Sequence, residues 1–293
     1  MITTKSVTRE IGELRGLGEL VTTYEFIAAA AMRRIRNSVL ENRAFHLGLN
    51  AIFQEIKRAY EREMHALAQH REGAKKKTVS FVPHDRKSAI VFLSANTPLY
   101  GDVITRTFSA FVAEAEKKTS DAVVVGRIGR TLFEETFPAR SCAYFDFPDA
   151  SIAIENLKAI STYLTRYERV LVFHGRFKSI ISQEVAVSPV SGEALAARDS
   201  GADDEGAKYI FEPSLETIVI FFETEIFSSL LEQVFHESRL AKLASRMVLL
   251  DRASVAVAHA LARTVSKRSR LQHRVFNRKQ LDSLAGVGMW FQP

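Results

Sequence analysis

From Leu14 onward apolar residues recur every three or four positions: Leu14, Leu17, Val21, Tyr24, Ala28, Met32, Ile35 and Val39, then Leu49, Ile52, Ile56, Tyr60 and Met64. No proline occurs before Pro83, and Gly48 is the only glycine between Gly18 and Gly73. A spacing near 3.5 over this length predicts a long helix with one narrow apolar seam. At ~1.5 Å per residue, a helix of roughly fifty residues reaches about 75 Å, and it cannot bury its seam alone.

The other end of the chain supplies a partner. After Pro213, the segment Ser214-Leu215-Glu216-Thr217 opens a second helix, with Ser214 as cap and Thr217 where a capping box needs Glu or Gln. Its seam runs through Ile218, Phe222, Ile226, Leu230, Val234, Ala241, Ala244, Val248, Val255, Ala258, Ala262 and Val265. Neither glycine nor proline falls between Ser214 and Ala285, so Gly286 and Gly288 mark the expected stop. Two long helices at opposite ends of a chain pair most simply as an antiparallel coiled coil.

Between them the period changes. Residues 89–94 (AIVFLS), 122–126 (AVVVG) and 169–174 (RVLVFH) are short continuous apolar runs, suited to parallel strands covered on both faces. Helix-length stretches, 102–118 and 152–166, lie between them, and 177–187 reads as an additional strand or hairpin arm. Alternating strands and helices predict an α/β domain with a Rossmann-like sheet. Residues 75–77, three lysines, read as a solvated hinge, and 188–206 as an acidic surface loop. The expected organisation is an N-terminal coiled-coil helix over 1–74, a central α/β domain over 75–207 and a C-terminal coiled-coil helix over 208–293.

Composition narrows the function. The 293 residues are 46% hydrophobic and 25% charged, which is ordinary globular chemistry. No apolar run reaches the ~18 residues of a membrane span. The N-terminal stretch has no signal-like apolar core, which predicts a protein that is not exported. The single cysteine, Cys142, excludes an internal disulfide and reads as a small core residue.

Catalytic chemistry is hard to find. No G-x-x-x-x-G-K-[ST] phosphate loop occurs, and the nearest candidate, Gly126-Arg127-Ile128-Gly129-Arg130, lacks the third glycine of a dinucleotide fingerprint. Its plainer reading is a strand-to-helix turn carrying two exposed arginines. Histidines 46, 65, 70, 84, 174, 236, 259 and 273 form no zinc-hydrolase pair. His174, at the expected carboxyl end of a strand, sits where α/β sites form, but a structural role is simpler. No catalytic residue, cofactor or metal site is expected.

The net charge of +6 is unevenly distributed. Arg33, Arg34 and Arg36 cluster on the first helix, and Arg263, Lys267, Arg268, Arg270, His273, Arg274, Arg278 and Lys279 on the second. Such clusters are often only solvated faces, but on paired helices they suit an acidic protein socket or nucleic acid. Phe276 is the one aromatic inside the second cluster, which is poor provision for base stacking and favours the protein socket. A basic coiled-coil scaffold or nucleic-acid-binding protein is the rival reading.

Several motifs carry a resemblance. Glu237-Ser238, then Ala244-Ser245-Arg246-Met247-Val248 and Asp251-Arg252-Ala253-Ser254, resemble E-S…A-x-R-M-V-A-M-x-x-A-T of the F-type ATP synthase gamma-subunit family. Phe211-Glu212-Pro213-Ser214 is similar to the family's Y-E-P-S, Ala28-Ala29-Ala30 with Arg33-Arg34 to V-A-A-A-K-L-R-R, and 94–101 (SANTPLYG) to T-S-D-R-G-L-C-G. The chain is divergent: Glu25 stands where lysine is usual, and Gln272, His273 and Arg274 replace much of the closing motif. The resemblance implies a non-catalytic central-stalk rotor subunit. Its implied partners are the alpha and beta nucleotide-binding subunits, the epsilon subunit and the membrane rotor ring, with no nucleic acid and no membrane span of its own. It implies a peripheral place on the cytoplasmic face of the membrane. Arg33, Arg34, Arg36, Arg246, Met247, Arg270, Arg274 and Arg278 are the expected contacts with the catalytic ring.

Overall fold

A computed structural model describes residues 3–68, 87–149, 151–152, 154–190 and 215–290. The expected domain limits after 74 and 207, the hinge at 75–77, the Ser214 cap and residues 191–206 of the acidic loop lie outside the described residues. The elements are α1 (Thr4–Ala68), β1 (Ser88–Leu93), α2 (Val103–Ala115), β2 (Asp121–Val125), α3 (Arg127–Thr136), β3 (Ala143–Phe145), α4 (Ile154–Leu164), β4 (Arg169–Phe177), β5 (Gln183–Pro189) and α5 (Leu215–Trp290). They form two compact units, one of Met1–Ala30 with Arg246–Pro293 and the other of Ala31–Ser245.

In the first unit α1 begins at Thr4, ten residues before the apolar periodicity read from Leu14. Thr3 caps it, its Oγ1 accepting from the Ser6 amide at 3.3 Å. Val7, Ile11, Val21 and Ala28 are buried there, with Leu14, Gly18 and Glu25 half-buried between them. Steps of four and three residues alternate throughout, the heptad signature of a seam facing another helix. Leu17 and Tyr24, expected on that seam, are 47% and 48% exposed. The true seam positions beside them hold Gly18 and Glu25, which a count of apolar residues passes over.

The facing helix is α5. A Cβ on Gly18 would lie 3.6 Å from Val257 Cγ1, and the Thr264 hydroxyl donates to Glu10 Oε1 at 3.5 Å. Residue numbers fall on α1 as they rise on α5, so these two segments run antiparallel. On α5 the covered positions include Leu250, Ser254, Val257, Leu261, Thr264, Arg268 and Leu271 in heptad steps, with Ala253, Ala260 and Val265, the last of these expected on the seam, half-buried beside them. Val255, Ala258 and Ala262 face outward, contrary to expectation, because alanine and valine occupy both faces here and identity alone does not choose between them. The expected stop also fails: α5 continues through Gly286 and Gly288 to Trp290. Neither glycine takes the left-handed conformation that ends a helix, and a helical glycine costs only about 1 kcal/mol against alanine.

The second unit is built on a five-stranded sheet of order β3-β2-β1-β4-β5. The first four strands are parallel and β5 returns antiparallel along β4. Alternate residues of β1 serve opposite faces. Ala89, Val91 and Leu93 meet Leu157, Ile160 and Leu164 of α4 and Phe227, Leu231, Val234 and Phe235 of α5. Ile90 and Phe92 meet Phe108 and Phe111 of α2 and Phe133 of α3. Helices on both faces explain why the strands read as unbroken apolar runs. Cys142 is half-buried against the second of these clusters.

Candidate functional site

The carboxyl ends of β1 and β2, where open α/β sheets hold their ligands, are closed by polar side chains. The loop leaving β1 is held down by Asp149, whose carboxylate accepts from the Asn96 amide at 3.0 Å, the Thr97 amide at 2.8 Å and the Thr97 hydroxyl at 2.7 Å. Asn96 then turns to α3. Its Oδ1 accepts from the Arg127 amide at 2.8 Å, its Nδ2 donates to the Phe147 carbonyl at 3.1 Å, and the Ile128 amide donates to Ala95 O at 3.0 Å. The first amides of α3, which a phosphate would need, are therefore engaged by the loop.

The two glycines of the nearest fingerprint have a packing role. Gly126 has φ +97°, and a Cβ on it would lie 2.8 Å from Ala95 N. A Cβ on Gly129 would lie 2.6 Å from Ser94 Cβ and 2.9 Å from Val124 Cγ1. They let α3 sit directly on the sheet, and Arg127 and Arg130 are exposed as the plainer reading expects.

Between this loop and α5 lies a cavity of about 20 Å³, lined by Tyr100, Asp149, Ser238, Arg239 and Lys242 among others. Ligand pockets measure roughly 300–1,000 Å³, so a nucleotide does not fit. Lys242 is half-buried and donates to the Ser94 carbonyl at 2.7 Å. Burial pulls its ammonium down to about 8, with Asp149 opposing the shift and Arg239 adding to it. Burial likewise lowers Arg239 from the usual guanidinium range. Sequence reading missed this cluster. Its signal was two cations, Arg239 and Lys242, within an otherwise apolar and small-residue stretch of α5.

His174 lies within β4, which runs on to Phe177, and not at the strand's carboxyl end as expected. It is fully buried, with Nδ1 3.0 Å from Gly175 O and Nε2 2.9 Å from Ser188 Oγ. Burial holds it near a pKa of 4, so the ring is neutral, donating from Nδ1 and accepting at Nε2. Its role is structural. Among the described residues no three His, Cys, Asp or Glu side chains are grouped to hold a metal.

The expected ring contacts divide between the units. Arg33, Arg34 and Arg36 are exposed on α1 in the second unit. Arg246 and Met247 are half-buried and Arg270, Arg274 and Arg278 exposed on α5 in the first. Arg270 reaches the Ser266 hydroxyl at 3.5 Å. No helix among the described residues is long and apolar enough to cross a membrane.

Comparison with known proteins gives consistent matches. The ATP synthase family pattern matches residues 3–271. The ATP synthase gamma chain of Trichlorobacter lovleyi is 22% identical over an alignment covering 98% of both chains. That of Cytophaga hutchinsonii is 25% identical, covering 85% of this chain and 86% of its own. Among solved structures, the fold is similar to a chain of the Tetrahymena thermophila mitochondrial ATP synthase central stalk and c-ring (TM-score 0.55, 17% identity, 80% of this chain and 99% of that one). It is also similar to a chain of the Euglena gracilis mitochondrial ATP synthase (TM-score 0.56, 11% identity, 89% and 95%).

Proposed function

The chain belongs to the ATP synthase family as a gamma chain, the non-catalytic central-stalk subunit of the F-type enzyme, and from that premise we propose how it turns rotation into chemistry on its neighbours. The N- and C-terminal arms, 1–74 and 208–293, form an antiparallel coiled coil that stands as a shaft inside the ring of alpha and beta subunits. The central domain, 75–207, docks on the epsilon subunit and the membrane rotor ring. The complex lies on the cytoplasmic face of the membrane, with this chain peripheral to it.

One observation carries the reading: the antiparallel contacts of Gly18 with Val257 and Thr264 with Glu10, on helices whose burial follows a heptad. Interdigitated side chains resist sliding, so two such helices move together. An asymmetric shaft contacts each catalytic subunit differently and stabilises a different conformation in each. Coupling is then the difference in contact free energy between rotational positions. Arg33, Arg34, Arg36, Arg246, Met247, Arg270, Arg274 and Arg278 are the side chains through which the shaft meets the ring, the arginines facing acidic groups. Electrostatic contact with a moving partner suits arginine, whose fork keeps its charge at any working pH.

The test is reconstitution with alpha and beta subunits from the same genome. The isolated chain should hydrolyse no ATP, and the assembled ring should turn it in steps, read from a bead attached to the central domain. ATP hydrolysis by the chain alone, or a ring that assembles and turns over equally well without it, would overturn the reading.

A further inference from the structure

Between Glu237 and Ser245, α5 is held against the sheet from two directions. Glu237, Ala241 and Ser245 recur every four residues and so share one face of the helix. Along that face Arg176 Nε of β4 lies 3.4 Å from Glu237 Oε1. Ala241 packs against Gly175 of β4, and Ser245 against Gly101 in the loop leaving β1. Both approaches are close enough to need glycine. A Cβ on Gly175 would lie 3.3 Å from Ala241 Cβ and 2.7 Å from Val103 Cγ2. One on Gly101, where φ is +61°, would lie 2.5 Å from Ser245 Oγ. The second direction belongs to Lys242, which follows Ala241 by one residue, about 100° further round the helix. Its Nζ donates to the Ser94 carbonyl at 2.7 Å, and the Ser94 amide is itself bound to the Val125 carbonyl of β2 at 2.9 Å.

We propose that residues 237–245 of α5 are the torque joint of the rotor, where twist passes between the sheet and the long helix, and that Lys242 is the positioning residue that stops the helix from rolling. This rests on the rotor reading above. A helix gripped along one stripe can still turn about its own axis, and a restraint on another side removes that freedom. Glycine, alanine and serine make the contacts of the first side, and such short side chains have almost no rotamers through which to yield. Lys242 grounds the other side on the central strands through Ser94. From this stretch α5 runs unbroken to Trp290, so an angle fixed here is an angle fixed for one continuous helix.

The test uses the reconstituted enzyme, with a bead on the central domain and the ring arrested by a non-hydrolysable ATP analogue. The thermal spread of bead angles then reads the torsional stiffness between bead and ring. Lys242→Met removes a hydrogen bond from an ionised donor, about twice as strong as a neutral one, and should widen the spread by about twofold. Lys242→Arg keeps a charged donor and should narrow it again, while Lys158→Met, exposed on α4, should leave it unchanged. A disulfide probes the first side independently. A Cβ on Gly101 would lie 3.7 Å from Ser245 Cβ, inside the roughly 3.5–4.5 Å that a disulfide spans. Gly101→Cys with Ser245→Cys, once oxidised, should still turn under ATP, with a spread no wider than in its reduced form. Equal spreads in wild type and Lys242→Met, or a widening that Lys242→Arg leaves in place or Lys158→Met shares, would overturn the joint while wild-type rotation left the rotor reading standing. Rotation that stops on oxidation and returns on reduction would make this stretch a moving hinge, which overturns it too. A wild-type chain that does not turn at all would bring both readings down together.

Discussion

The Nε2 atom of His174 lies 2.9 Å from the Ser188 hydroxyl, joining β4 to β5 from inside the protein. With Nδ1 donating to the Gly175 carbonyl, the neutral ring accepts from the Ser188 hydroxyl at Nε2. Burial lowers the folded pKa from 6.5 to about 4, while the unfolded chain keeps the ordinary value. As pH falls through 6.5 the unfolded state takes up a proton and the folded state does not. Stability should therefore be fully present above 6.5 and decline towards 4, by up to about 3 kcal/mol. Urea midpoints at pH 7 and pH 4.5 measure the loss. His174→Gln should lower stability at pH 7 and flatten the profile between the two.

Gly129 and Gly12 should respond to alanine with opposite signs. A Cβ at Gly129 would meet Ser94 Cβ at 2.6 Å and Val124 Cγ1 at 2.9 Å, whereas nothing lies within 4 Å of one at Gly12. Gly129→Ala should cost about 1–3 kcal/mol by overpacking. Gly12→Ala, on the exposed face of α1, should gain about 0.5–1 kcal/mol from helix propensity. Denaturant unfolding followed by circular dichroism gives both values.

On α1, burial separates two residues that pattern alone treats alike. Ile11 is 3% exposed and Leu17 is 47% exposed. Ile11→Ala should cost about 2–4 kcal/mol and Leu17→Ala about 0.5 kcal/mol or less in the isolated chain. Comparable losses at both positions would show that Leu17 is covered in solution.

Reversing Arg33, Arg34 and Arg36 to glutamate should leave the melting temperature within a few degrees, because all three are exposed. In the assembled enzyme, ATP-driven ion pumping should fall by about tenfold or more while hydrolysis by the ring falls less, since contacts across a charged interface are worth several kcal/mol in total. Unchanged pumping would reduce the cluster to a solvated face.

The sheet was legible because burial on both faces leaves no alternation to decode: 89–94, 122–126 and 169–174 announce themselves by apolar density alone. β3 was not, since Ala143–Phe145 is three half-buried residues and offers no run to detect. The long helices could be read, but not their exact faces. Gly18 and Glu25 occupy seam positions that hydrophobicity does not mark, and the alanines after Val248 mark both faces equally. The stretch Ile226–Ser245 of α5 was read as seam, and its burial against the sheet follows from the topology, which local periodicity does not encode. The Lys242 cluster stayed hidden for a related reason. Two cations flanking a seam look like its solvated border, and only the loop folded over them turns that border into an interior.

Gly126 and Gly129 set a boundary on what this lineage can become. Residues that elsewhere make room for a cofactor's phosphates are here consumed in seating one helix, with no slack even for a methyl group. Drift can rewrite the surface of the arms freely, but acquiring a nucleotide at this sheet edge would require dismantling the architecture first.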